Sequence, residues 1–346
     1  MAYRTAADRD GPDTRPWNPV LCISAEEPYS SAAISEGALA GQIADLYALA
    51  TGVNSDTHAL ELRHFSRRHA YMTSIFTPMR TIFAGASSIT SLSLFDMGLE
   101  EHELSVLCQA VQQSTVLTSL EFIGCDSVGS AFALVANMLS KSVCLRRLEL
   151  DDVDLVDSSM EKLASAMSKN TTLTELQLDF NPDITFRGME NFYDMLASNV
   201  VLRSLDLGGT ACFDPDLRGF PDEIQRKTLP DAIARNTALQ TLIMRNVGIP
   251  PAAHIFLTKA FSRNCTLQTV SLPEPVPREV SDSWRKLRAA AISHYRSPRI
   301  RWLVRTRSLC QAERARAAFP QHGIEAWLCV RAPLWVVVHV SALLRA

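Results

Sequence analysis

The sequence predicts an α/β solenoid with short parallel strands on the inside of a curve and helices on the outside. Three observations predict it. An LxxLxL pattern, with conservative replacements, occurs seven times, its leading residues 28, 28, 28, 29, 37 and 28 positions apart. Behind each strand pattern lies an apolar stripe with the i, i+3, i+7 spacing of an amphipathic helix. A small polar residue then stands before each new strand. One such unit cannot bury its own apolar face, so the units must stack into a continuous core.

The elements follow in order. The first 30 residues contain four prolines and little pattern, and read as a flexible arm. Residues 31–88 read as an N-terminal cap: a helix over Ala32–Ala50, an irregular strand at Ala59–Leu62 and a helix over Tyr71–Phe83. The array covers 89–275. Its strands carry Ile89-Leu92-Leu94, Leu117-Leu120-Phe122, Leu145-Leu148-Leu150, Leu173-Leu176-Leu178, Leu202-Leu205-Leu207, Leu239-Leu242-Met244 and Leu267-Val270-Leu272. Helix stripes follow, as in Leu104-Leu107-Val111, Phe132-Val135-Leu139, Met160-Leu163-Met167 and Met189-Phe192-Leu196. Ser114, Ser142, Asn170, Asn199, Asn236 and Asn264 precede the strands, where asparagine suits the left-handed conformation that ends helices. The spacing of 37 implies an insertion near 211–226, either a partner-contacting loop or a tolerated change of length. Pro273, Pro275 and Pro277 end the array, and 276–346 form a basic, partly apolar tail.

Units of 28–29 residues with LxxLxL strands and one full helix resemble leucine-rich repeats of the ribonuclease-inhibitor type. The runs AMSKNTTL, AIARNTAL and AFSRNCTL resemble repeats of NOD-like receptors and Ran GTPase-activating proteins. The resemblance covers about residues 57–275 and implies a horseshoe-shaped α/β solenoid. It speaks strongly for fold and weakly for function. In the turn after the strand, where the family often has Asn or Cys, this chain has Met97, Cys125, Val153, Asn181, Thr210 and Val247. A continuous asparagine ladder is therefore not expected there, and backbone or water must satisfy most of these turns. The resemblance also implies an alternative function, a small-GTPase regulator of the Ran GTPase-activating type. The acidic tail typical of that family is replaced here by a basic one.

Composition narrows the remaining classes. With 346 residues, 47% hydrophobic and 21% charged, the chain is neither disordered throughout nor collagen-like. Its formal charge of −3 conceals an asymmetry. Residues 281–346 hold 12 Lys or Arg and three acids, a net of +9, whereas 1–280 hold 22 basic and 34 acidic residues, a net of −12. The tail could attach to nucleic acid or an anionic membrane, or fold back on the acidic face. Its apolar run APLWVVVHVSALL is shorter than the ~20 residues that a membrane helix needs. Eight cysteines without a CxxC pair and a polar, proline-spaced beginning predict a cytoplasmic protein, the nucleus remaining open.

Phosphate-loop, nucleophile-elbow, HExxH and dinucleotide-binding motifs are lacking, and the histidines show no ligand spacing. The expectation is a non-enzymatic protein without cofactor or metal. The basic run at Arg63, His64, Arg67, Arg68 and His69 reads as a solvated cap surface. Function is expected on the strand face, where alternate residues point away from the core. There the third, fifth, seventh and eighth positions of each unit supply Asp96, Glu121, Glu149, Asp151, Asp152, Glu175, Asp179 and Asp206, against Arg147 and Arg245. Phe180 is the candidate apolar anchor. An acidic concave face suits a basic protein ligand through steering and a few buried anchors.

Overall fold

The computed structural model describes residues 20–25, 35–51, 57–65, 71–84, 88–125, 127–213, 228–249 and 251–272. The expected arm before residue 20, most of the insertion (214–227), the last residues of the array (273–275) and the tail (276–346) lie outside them.

Nine parallel strands form one sheet in strict chain order. They are β1 (Val20–Ser24), β2 (Ala59–Arg63), β3 (Ser91–Phe95), β4 (Ser119–Ile123), β5 (Arg147–Asp151), β6 (Glu175–Gln177), β7 (Ser204–Asp206), β8 (Thr241–Ile243) and β9 (Thr269–Ser271). Between them run α1 (Glu36–Ala50), α2 (Met72–Phe76), α3 (Met79–Ala84), α4 (Glu101–Gln113), α5 (Phe132–Lys141), α6 (Asp157–Lys169), α7 (Phe186–Ser198), α8 (Leu229–Arg235) and α9 (Pro251–Arg263). The fold is an α/β leucine-rich repeat solenoid, with strands on its concave side and helices on its convex side. Leu92, Leu94, Leu120, Phe122, Leu148, Leu150, Leu176 and Leu205 are fully buried, as are Leu107, Val135, Leu163 and Phe192 on the helices behind them. Strand leucines and helix stripes thus make one core running the length of the array.

The N-terminal end differs from its sequence reading in three ways. Val20–Ser24, read as part of an arm, is the first strand, in register with Ala59–Arg63. Ile23 is fully buried, so this short apolar run covers an edge that β2 would otherwise expose. Residues 59–63 are a regular strand that pairs residue for residue with β3. The helix expected over Tyr71–Phe83 is two, α2 and α3, divided at Pro78, whose ring and missing N–H cannot continue the hydrogen-bond ladder.

The turns also resolve differently. Asn170, Asn199 and Asn236 end their helices in extended conformations, with φ of −74°, −67° and −65°, not in the left-handed region. Their side chains explain the preference. The Oδ1 of Asn170 accepts from the amides of Thr172 (2.9 Å) and Leu173 (2.8 Å), and its Nδ2 donates to Leu139 O of the preceding unit (2.7 Å). Asn236 and Asn264 repeat this, donating to Leu196 O (2.6 Å) and Ile233 O (2.7 Å). An asparagine ladder therefore does exist, at the helix-to-strand turn. In the turn after the strand, Asn181 Oδ1 accepts from the Val153 and Leu155 amides and Thr210 Oγ1 donates to Leu207 O. Met97, Val153 and Val247 are simply buried there.

Candidate ligand-binding face

Strand register aligns the concave side chains in rows that cross the units. One row, at the centre of the strands, contains Cys22, Glu61, Ser93, Glu121, Glu149, Gln177, Asp206 and Ile243. Toward the strand starts lie Ser91, Ser119, Arg147, Glu175, Ser204 and Thr241. Toward the strand ends lie Arg63, Phe95, Ile123 and Asp151, with Asp179, Gly208 and Arg245 following in the same unit positions. One residue further on, the chain turns.

That turn is held by a left-handed residue in seven successive units: His64, Asp96, Gly124, Asp152, Phe180, Gly209 and Asn246, with φ between 49° and 65°. Backbone bonds lock it across units, for example Asp96 N to Ile123 O (2.9 Å), Asp152 N to Asp179 O (3.1 Å) and Phe180 N to Gly208 O (3.0 Å). Gly, Asn, Asp and His all tolerate this conformation, and six of the seven positions carry one of them. Phe180 does not fit the set.

Seven of the eight predicted acidic residues separate into two groups, with Glu175 apart at the strand starts. Glu121, Glu149 and Asp206 were expected to present their charge to solvent, but at 8%, 1% and 5% exposure they form the floor of the face. Strand spacing of ~4.8 Å packs neighbouring central residues so closely that they cover one another. Arg147 sits over this floor and joins three strands. Its Nε bonds Glu121 Oε1 on β4 (3.2 Å), its Nη2 bonds Glu149 Oε2 on β5 (2.7 Å) and its Nη1 bonds Glu175 Oε2 on β6 (3.1 Å). Nη2 also reaches Gln177 (3.4 Å), and Ser93 Oγ donates to Glu121 Oε2 (3.0 Å). Burial works against the arginine's charge, but Glu149 and Glu121 outweigh it and hold its pKa above the usual value. These three carboxylates share one cation within the sheet.

Asp206 occupies a second buried position. Desolvation pushes its carboxyl up to about 6 despite the Gly208 amide, which donates to Oδ1 at 2.9 Å; Asp179 and Glu149 also raise it, while Arg245, 4.0 Å from Oδ2, lowers it. A side chain at Gly208 would meet the Asp179 carboxylate, which would have to shift aside.

The second group lies at the strand ends. Asp96 and Asp152 are exposed, and Asp151 and Asp179 are half-buried. Phe180, 37% exposed, lies among them. Exposed carboxylates are thus concentrated along the strand-end edge, where Arg63 and Arg245 also lie, while Glu175 stands at the opposite edge. At the opposite edge, Thr90, Ser91, Thr118, Ser119, Arg146, Arg147 and Glu175 line a shallow open depression.

Glu61, Arg63 and His64 belong to the strand face, although Arg63 and His64 were expected on a solvated cap surface. Arg63 bonds Glu61 Oε2 through Nε and Nη2 (3.0 and 2.7 Å) and covers the ring of its register partner Phe95, 3.9 Å from the centroid. His64 Nδ1 lies 3.2 Å from Asp96 Oδ2. The signal was the apolar alternation in ALELR, which extends the array one unit before its first full LxxLxL. The cysteines in successive repeats do not converge: Cys108 is buried in α4, its thiol pushed up to about 12 by desolvation, Cys125 bonds Leu94 O after β4, and Cys144 lies before β5. Among the described residues no three His, Cys, Asp or Glu group as metal ligands, and no helix is long and apolar enough to cross a membrane.

No protein-family model and no curated protein matches the chain. Among solved structures it is similar to Leiomodin-1 Actin-Binding Site 2, at 14% identity and a TM-score of 0.30, over 66% of this chain and 96% of that one.

Proposed function

We propose that the chain is a ribonuclease-inhibitor-like repeat protein and a non-enzymatic scaffold that binds a basic protein ligand along the strand-end edge of its concave face. The observation that carries this reading is the band of Asp96, Asp151, Asp152 and Asp179 beside Phe180 at the strand ends, apart from the carboxylates that share Arg147. Units of 28–29 residues, each with a helix of up to 13 residues, favour the ribonuclease-inhibitor type. The band supplies steering at low salt, and Phe180 supplies apolar contact that a purely electrostatic surface lacks.

The test is fluorescence anisotropy of a labelled nine-residue peptide of alternating lysine and serine, titrated with the full chain. Asp151→Asn, Asp152→Asn and Asp179→Asn together should weaken binding by about tenfold or more at low salt, with the difference shrinking toward 1 M salt as the Debye length falls to ~3 Å. Unchanged affinity in the triple variant overturns the reading. Glu149 is unsuited to such a test, because its replacement breaks the Arg147 network.

A further inference from the structure

The strand-start edge of the face differs in charge from the strand-end edge. From β3 to β9 the residue just before the strand is Thr, Arg or Gln, never Asp or Glu, and the two arginines are Arg146 and Arg203. Arg146 is exposed, and its guanidinium makes no hydrogen bond or ion pair among the described residues. Its backbone is nevertheless fixed: the amide donates to Thr118 O (2.8 Å), and the carbonyl accepts from the Thr174 hydroxyl (3.1 Å). Arg203 bonds a neutral acceptor, Ala238 O (2.9 Å), so its charge is not cancelled there.

Arg146 lines the open depression at this edge together with Thr90, Thr118, Arg147 and Glu175. The other charges there are already matched: Arg147 is shared by Glu121, Glu149 and Glu175, and Glu175 is the one carboxylate in that lining. The Thr90 and Thr118 hydroxyls donate to carbonyls of the preceding unit, His58 O (3.3 Å) and Thr90 O (3.1 Å). What the depression offers a ligand is therefore a guanidinium whose N–H groups are uncommitted. We propose that Arg146 takes a carboxylate of the protein ligand, which then lies along the strands with an acidic residue at their starts and its basic segment at their ends. This rests on the concave face binding a basic protein, and adds a second charge on that ligand and its direction. A planar guanidinium holds a carboxylate through two parallel bonds. The strand also sets a spacing: Asp151 lies five residues after Arg146, about 16 Å along an extended chain. An extended ligand segment must carry its acidic and basic groups a similar distance apart.

The experiment uses the full chain and three labelled peptides, read by fluorescence anisotropy. The first carries a block of alternating lysine and serine, then four serines and a final glutamate. In the second, glutamine replaces that glutamate; in the third, the glutamate follows the block directly. At low salt the first should bind about fivefold more tightly than the second, the size expected of a bidentate pair at an exposed site, and the third should gain nothing. Arg146→Gln should remove that gain and leave the glutamine peptide within about twofold of its affinity for the parent chain. Thermal melting confirms that the variant folds. Equal binding of the first two peptides, a gain that survives Arg146→Gln, or the same gain from the third peptide overturns the carboxylate seat while leaving the basic-ligand reading intact. Absence of binding by the glutamine peptide alone overturns the basic-ligand reading, and absence of binding by all three overturns both.

Discussion

Asp206 is held where its charge is poorly solvated, and this makes stability depend on pH in a definite direction. Its folded carboxyl titrates at about 6, against an ordinary 3.8. The native state therefore holds the proton more tightly than the unfolded chain, and this residue's contribution falls as pH rises from about 4 to about 6. A shift of that size corresponds to ~1–3 kcal/mol. Asp206→Asn removes the charge and keeps an oxygen to accept from the Gly208 amide. Urea unfolding should show the variant more stable by ~1–3 kcal/mol at pH 7.5, with the gain vanishing near pH 4. An equal gain at both pH values would rule out the buried charge as its source. Sequence showed that Asp206 lies on the strand face, because alternation fixes which side a residue takes. It could not show that Asp206 is covered, since cover comes from residues 28 or more positions away.

At the scale of the element, the helix-to-strand turn is the joint between units. Asn170 makes bonds in both directions: its oxygen serves the amides that open the next strand, and its amide serves the preceding unit. Ser114 and Ser142 supply the acceptor half, through Oγ to the amides of Leu117 (3.0 Å) and Leu145 (3.3 Å). Asn170→Ala should cost ~2–3 kcal/mol in urea unfolding, because buried amides and a carbonyl lose their partners. Asn170→Ser should recover about half. If Ala and Ser cost the same, the acceptor role is wrong. The polar residue before every strand was legible as a pattern, but its purpose was not. Asn suits a left-handed helix end in general, yet here parallel stacking places a carbonyl of the previous unit within its reach, and the extended backbone aims it there.

In the whole molecule, Arg147 is the tie between units that sequence reading treated as a minor exception to an acidic face. It bonds carboxylates on β4, β5 and β6, so three repeats share one cation. Arg147→Met would remove the cation bonded to Glu149, 1% exposed, and should destabilise by ~3–5 kcal/mol. Because repeats interact mainly with their neighbours, the loss should also loosen coupling between the two ends of the array and lower the urea m-value. Adding Glu149→Met should restore much of the stability, since an apolar pair fills the same site without a buried charge. If the double variant is no more stable than the single, the buried charge is not the cause.

The sequence by itself determined the repeat, its period, the strand–helix alternation and the inward leucines, because these depend on local periodicity and on the need of each unit to bury one face. Tertiary structure alone decided which surface charges face solvent. Parallel register brings Glu121, Arg147, Glu149 and Glu175 together from three strands and covers Asp206 between neighbours. Likewise, only the stacked turns show that Phe180 occupies a position otherwise given to Gly, Asn, Asp or His. A count of charges along the chain finds an acidic face; the distances between strands divide it into a buried floor that shares one arginine and an exposed edge.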